Sequence, residues 1–246
     1  MKLKSLYTGA LALAVLCLTS CSDWFDVSPK TNIKAEQLYE TPEGFESALA
    51  GIYILLTDDD CYGHDMSFGL IDQLAQLYDR IPDGTTDREA IYQYTQESQG
   101  YGTKARMAAI WEKSYNVIAN TNNFMKWLNK NGQRVLRNEQ TRNMYYGEAY
   151  AMRAFLHFDL LRAWGPMDYQ AGKQNLSIPY RVVADNTKQP RLAAETIVGK
   201  IIDDLKQAEQ YLAFEKNTSL SGNERRYRLN LSLIHISEPT RLRCIS

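Results

Sequence analysis

Gly147-Glu148-Ala149-Tyr150-Ala151-Met152-Arg153-Ala154-Phe155-Leu156-His157-Phe158, running on through Leu161 to Trp164-Gly165-Pro166, is the stretch that decides the fold of this 246-residue chain. Ala151, Ala154, Phe155, Phe158 and Leu161 recur at helical spacing, which predicts one helix from Glu139 to Trp164 with those residues facing inward. Gly165-Pro166 breaks it. The alanines on that face let a neighbouring helix approach closely.

Working outward, the same helical period returns on both sides. Upstream, Trp111, Tyr115, Ile118, Ala119 and Met125 predict a helix with a stop at Gly132. Downstream, Ile178-Pro179-Tyr180 to Pro190 reads as an irregular crossing segment, and Ile197, Ile201, Leu205, Ala208 and Leu212 predict a helix from about Ala193 to Leu212. Nearer the N-terminus, Thr41 is a good N-cap and Pro42 a good first helical residue for a helix carrying Phe45, Ala48, Leu49, Ile52, Leu55 and Leu56 inward. A further helix is expected from about Met66 to Tyr78, with Leu70, Leu74 and Leu77 on one side. Between Asp79 and Thr103 lie Pro82, Gly84, Gly100 and Gly102 with little helical period. Connections this long inside a domain tend to be functional.

Before residue 231 no strand alternation competes with these helices. The fold class is therefore all-α, with paired helices of small-plus-aromatic inner face separated by long irregular loops. That pattern points to tetratricopeptide-like helical repeats. Ala151-x3-Phe155 and Ala154-x3-Phe158 match one fragment of the tetratricopeptide pattern, although the full consensus does not recur at a fixed period.

The two ends read differently. Lys2 and Lys4, the apolar run Gly9 to Leu18, and Leu18-Thr19-Ser20-Cys21 form an export signal too short to span a bilayer. The cysteine closing it resembles a bacterial lipobox, which implies cleavage after residue 20 and lipid on the Cys21 thiol; an ordinary secretory peptide ending near Ser20 is the alternative. Acyl chains at about 0.8 kcal/mol per buried methylene hold such a protein on a membrane. Residues 21–33 then form an extended lead, 34–230 a helical domain, and 231–246 a foreign tail. Leu231-Ser232-Leu233-Ile234-His235-Ile236-Ser237-Glu238-Pro239-Thr240-Arg241 resembles the frame translation of a sequencing-library adapter; otherwise it is a short alternating strand and a turn at Pro239.

Composition narrows the function. The chain is 44% hydrophobic and 23% charged, which is globular composition. Of four cysteines, Cys17 leaves with the signal, Cys21 is acylated and Cys244 lies in the tail, leaving Cys61 alone. That excludes a disulfide framework and a cysteine metal site. Net charge is -1, and about -4 without the signal lysines and the tail, with no basic stripe. Nucleic acid is excluded as a partner.

Taken in order, these segments resemble the SusD/RagB family of outer-membrane nutrient-binding lipoproteins. The matching pieces are Cys21-Ser22-Asp23 with Pro29; Phe45, Ala48, Gly51 and Tyr53; Trp111, Tyr115 and Asn120; the Gly147 to Phe155 run continuing to Trp164-Gly165-Pro166; and Pro179, Pro190-Arg191, Asp204-Leu205 and Ala208. The resemblance implies a non-catalytic, mainly helical protein held on the outer membrane by a lipid at Cys21 and exposed at the surface. It would bind oligosaccharide or polysaccharide and hand it to a TonB-dependent SusC-like transporter. It also implies a protein about twice this length, so the helical domain ending near Asn230 is an incomplete N-terminal part. A tetratricopeptide-like scaffold binding protein partners is the second reading and a glycan hydrolase the third.

Candidate site residues follow from what a sugar needs. Flat apolar rings stack on its faces, and amides or carboxylates take its hydroxyls. In the Asp79 to Thr103 connection, Tyr92, Tyr94 and Tyr101 alternate with Gln93, Gln96 and Gln99, and these three tyrosines are the glycan-binding candidates; the alternative is that they pin the loop to the helices. Trp111 and Trp164 are assigned to packing. Asp58-Asp59-Asp60 reads as a solvated turn rather than a calcium loop, because D-x-D-x-D spacing is absent. His64 with Asp65 is a weak ion-site candidate, His157 is a packed helical histidine, and Glu148 and Arg153 are expected to act structurally between helices. A hydrolytic carboxylate pair could in principle come from Asp79, Asp83 or Asp87, although their separation in space is not readable from sequence. No catalytic residue, metal or cofactor is assigned, since no G-x-S-x-G, phosphate loop or Cys/His pair occurs.

Overall fold

The computed structural model describes residues 35–79, 89, 91–94 and 102–213. The signal, Cys21, the extended lead, Tyr101 with most of the long connection, and the chain from residue 214 onward lie outside these. Ala35–Leu38 form a single helical turn, α1, in an N-terminal unit of its own. The rest of the description concerns the second unit.

Helix α2, Pro42–Leu56, starts as its sequence predicts: the Thr41 hydroxyl accepts a hydrogen bond from the Gly44 N–H at 3.1 Å, and Pro42 opens the first turn. Phe45, Leu49 and Ile52 are buried, while Ala48, Leu55 and Leu56 are half-buried. The next helix is shorter than the predicted Met66 to Tyr78. Residues 57–69 instead wind through successive turns, with Met66 N–H reaching Cys61 O at 2.7 Å, and α3 covers only Leu70–Leu74. The packing around Asp65 and a backbone turn at Gln76 account for it. Gly69 packs so tightly that a Cβ there would meet His64 Nδ1 at 2.5 Å and Asp65 Oδ1 at 2.7 Å, and Gln76 takes a left-handed φ of 56° that ends the helical path. Leu70 is buried and Leu74 partly so, but Leu77 stands 69% exposed.

Helix α4 is the longest element, Thr103–Val135. It begins eight residues before Trp111 and runs past Gly132, whose carbonyl accepts the closing bond from Leu136 N–H. Helix α5 spans Glu139–Trp164, as predicted, with Asn138 capping the Gln140 and Thr141 N–H groups. A short turn α6, Tyr169–Gly172, and an irregular segment lead to α7, Ala194–Tyr211. Among the described residues there is no strand, only an isolated bridge between Leu176 and Ala193, and no helix is long and apolar enough to cross a membrane.

The helices pack in chain order: α2 on α4, α4 on α5, and α5 on α7. Contact between successive helices is what a helical-repeat stack requires. The three-residue link 136–138 makes α4 and α5 an αα-hairpin. An aromatic cluster fills the first layer: Tyr39 meets Phe45 at 5.0 Å and stacks on Trp127 at 5.4 Å, while Phe124 meets Phe45 at 6.0 Å and Tyr145 at 5.7 Å. Burial pushes the Tyr39 phenol up to about 12. In the second layer Ile197, Ile201, Leu205 and Ala208 of α7 are buried, as are Ala151 and Ala154 of α5. Each fully buried Ile or Leu contributes about 1.5–3 kcal/mol. Helix α5 is buried on more than the predicted stripe, because Met152, Leu156, His157 and Leu160 are inside too; Phe155 and Phe158 are only half-buried.

A buried polar network binds the irregular segment to these layers. Arg153 donates to both oxygens of Asp204, each at 2.7 Å, and to Asn122 Oδ1 at 3.0 Å. Tyr180 donates to Asp204 at 2.6 Å, and Asn122 donates to Arg181 O at 3.1 Å. His157 stacks on Tyr180 with ring centres 3.9 Å apart. Its Nδ1 lies 2.8 Å from Arg153 O and its Nε2 accepts the Arg181 N–H at 3.0 Å. These partners assign the proton to Nδ1. His157, Glu148 and Arg153 thus act between elements: Tyr53 of α2 donates to Glu148 at 3.1 Å.

Candidate functional site

Where α4 leaves the long connection and α5 ends, side chains from both helices line an open groove of about 880 Å³. Its α4 side follows one helical face, Met107, Trp111 and Tyr115, because positions three and four apart share a face. Its other side is Ala163 and Trp164 at the end of α5. Trp111 meets Trp164 edge to face with ring centres 5.1 Å apart and lies 4.9 Å from Tyr115. Both tryptophans are half-buried. Packing therefore takes only part of each ring, and the remainder lines the groove, which corrects their assignment to the core.

Tyr115 is fixed from behind, since its hydroxyl donates to Pro179 O at 2.7 Å, and burial raises its phenol far beyond the usual range. The groove floor continues into a small core of Leu70, Ile91 and Ile110, against which Met66, Leu74, Met107 and Trp164 pack. Ile91 thereby ties the predicted tyrosines to the same region. Tyr92 is 36% and Tyr94 60% exposed. The Tyr94 hydroxyl donates to Leu74 O at 2.8 Å, and Gln76 donates to Tyr92 O at 3.2 Å. Their polar contacts hold the turn in place, and their rings remain open to solvent.

The acidic turn behaves as a solvated, paired structure. Asp58 binds Lys113 at 2.6 Å, which holds its carboxyl below the usual range. Burial alone would raise the Asp65 carboxyl, but hydrogen bonds from Arg106 and His64 hold it down. Arg106 chelates Asp65 through Nε at 3.1 Å and a second, closer contact through Nη2, while His64 Nδ1 lies 2.8 Å from Asp65. That carboxylate is committed to an arginine, and among the described residues no group of three His, Cys, Asp or Glu side chains gathers to hold a metal. Tyr62 completes the attachment, donating to Asp159 at 2.6 Å and stacking on Phe155 at 5.0 Å. Cys61 is buried and its thiol is pushed up to about 11 by desolvation.

Sequence reasoning named Tyr92 and Tyr94 as candidates but not the groove, which neither of them lines. The signal was present as Met107, Trp111 and Tyr115 at helical spacing, yet spacing does not distinguish a face that meets another helix from one that meets solvent.

Comparison with known proteins agrees with this architecture. A family model described as SusD-like, starch-binding associating with outer membrane, matches residues 23–221. The chain is 25% identical over 213 residues to SusD-like protein P38 of Formosa agariphila, covering 83% of this chain and 37% of that protein. Among solved structures, it resembles a SusD superfamily protein from Bacteroides thetaiotaomicron with a TM-score of 0.61 at 20% identity, over 83% of this chain and 44% of the other. A SusD-like carbohydrate binding protein from Bacteroides vulgatus gives a TM-score of 0.61 at 15% identity, over 79% and 39%. The chain spans well under half the length of these relatives.

Proposed function

Because this chain belongs to the SusD/RagB family, we propose that it is a surface glycan-binding lipoprotein that captures oligosaccharide without cleaving it. It is held on the outer membrane by lipid on Cys21 and passes its ligand to a TonB-dependent SusC-like transporter. Tyr92, Tyr94 and Tyr101 contribute stacking surface.

The observation that carries this reading is the pair of half-buried tryptophans, edge to face in an open groove, next to a turn with two exposed tyrosines. Rigid rings held from behind present apolar faces at little entropic cost on binding. A flat face of this kind fits the C–H surface of a pyranose. The family's description as starch-binding supports the ligand class, and the lipobox-like Cys21 supports the anchor.

Glycan-array binding with the full chain tests it, followed by isothermal titration of the hits and a reducing-sugar assay. Saturable binding without sugar release is the expected result, with Trp111→Ala and Tyr94→Ala each weakening it by about 1 kcal/mol or more. No binding to any glycan would overturn the reading in favour of a protein-binding scaffold, and sugar release would overturn it in favour of a hydrolase.

A further inference from the structure

One end of the groove is the first turn of α4: Thr103 and Lys104 line it together with Trp111. Four features of that turn bear on what it accepts. Its N-cap is Gly102, which supplies no side-chain cap, so among the described residues the first N–H groups of a 33-residue helix meet no capping side chain. The first turn carries no acidic residue. Lys104 is exposed and makes no ion pair among the described residues. Thr103 is only 7% exposed, and its buried hydroxyl has no hydrogen-bond partner among the described residues.

A helix N-terminus carries partial positive charge and converging N–H donors. A buried hydroxyl without a partner is costly and is accounted for by an acceptor placed beside it. Together they describe a seat for an anion, opening onto an aromatic wall. At about 1.5 Å rise per residue, Trp111 lies roughly 12 Å along the axis from Thr103. A ligand filling both ends is therefore an oligosaccharide. The exposed Glu112, which also lines the groove, lies two turns from the basic end and is placed to accept sugar hydroxyls. Arg106 in the same turn is already neutralised by Asp65, so among the described residues Lys104 is the cation of that turn left for the ligand.

We propose that this groove selects acidic glycans, seating a ring-borne carboxylate or sulfate on the first turn of α4 with Lys104 and Thr103 while the Trp111 and Trp164 rings hold the neighbouring sugar. The inference rests on the glycan-binding reading and names its ligand class.

Tryptophan fluorescence titration of the full chain tests it with two matched pairs: galacturonic acid trimer against its methyl ester, and 6-sulfated maltotriose against maltotriose. The acidic member of at least one pair should bind roughly tenfold more tightly than its neutral partner, and the pair showing the preference identifies the anion. The preference should shrink at about 0.5 M salt and disappear in Lys104→Glu, whose exposed position leaves the melting curve unchanged. Thr103→Val, which removes the hydroxyl but keeps the shape, should reduce it. In both variants the acidic member should lose more affinity than the neutral one. Equal binding of acid and neutral forms in both pairs overturns this inference and leaves glycan capture standing. Failure of all four probes to bind overturns the inference, while the glycan-binding reading stands or falls with the glycan array.

Discussion

Arg153 of α5 and Asp204 of α7 face each other as a bidentate ion pair inside the protein, with both N–H···O distances at 2.7 Å. The pair also anchors Tyr180 and Asn122, so it joins two helices to each other and to the irregular segment between them. Burial by itself would weaken the guanidinium's hold on its proton, but the Asp204 carboxylate more than offsets this and raises it. Removing one partner strands the other charge. Asp204→Ala should destabilise the chain by about 3–5 kcal/mol in urea unfolding. A change under about 1 kcal/mol would mean that water reaches Arg153 and the network does not hold the layers.

His157 should make stability depend on pH. Desolvation lowers its pKa from 6.5 to about 3, so the folded state keeps the ring neutral where the unfolded chain has begun to protonate it. The contribution is fully present above about 6.5 and is lost as pH falls from there toward 3, at a slope of at most about 1.4 kcal/mol per pH unit. Urea midpoints measured across that window should fall more steeply for the native chain than for His157→Gln. Parallel profiles would contradict the assignment.

Gly147 lies where α5 meets the end of α7. A Cβ at that position would sit 2.4 Å from Leu212 Cγ and 2.8 Å from its Cδ2, and Leu212 is itself buried. Gly147→Ala should cost about 1–3 kcal/mol from overpacking, partly offset by about 1 kcal/mol of helix propensity. In a Leu212→Ala background the same substitution should become neutral or stabilising. Additive effects of the two changes would show that the helices shift freely to make room.

Cys21 carries the prediction about location. Cys21→Ala should abolish incorporation of an alkyne-labelled palmitate and move the protein out of the membrane fraction, because the proposed anchor rests on that one thiol. Retention of label in the variant would dismiss the lipobox.

The helices were legible in the residues themselves. Thr41-Pro42 and Asn138-Glu139 start helices because a hydroxyl or amide oxygen satisfies orphan N–H groups within three residues, and Gly165-Pro166 ends one because proline cannot donate. Such rules act locally. The helix predicted from Met66 to Tyr78 contracted to Leu70–Leu74 because Asp65 is drawn to Arg106, forty-one residues away, and a long-range ion pair has no signature at either position.

The functional face divides in the same way. Tyr92 and Tyr94 were visible as rings among glutamines in a connection without helical period. Trp111 and Trp164 were assigned to the core, and the structure leaves each of them half in a groove. Sequence by itself determined the main helical segments, where the capped ones begin, and the family that their order resembles, because those depend on capping, periodicity and residue type along a few consecutive turns. Only the tertiary structure decided which apolar face stays open, that α4 begins uncapped beside it, and that Arg153 finds Asp204, because each depends on which distant segment packs against which.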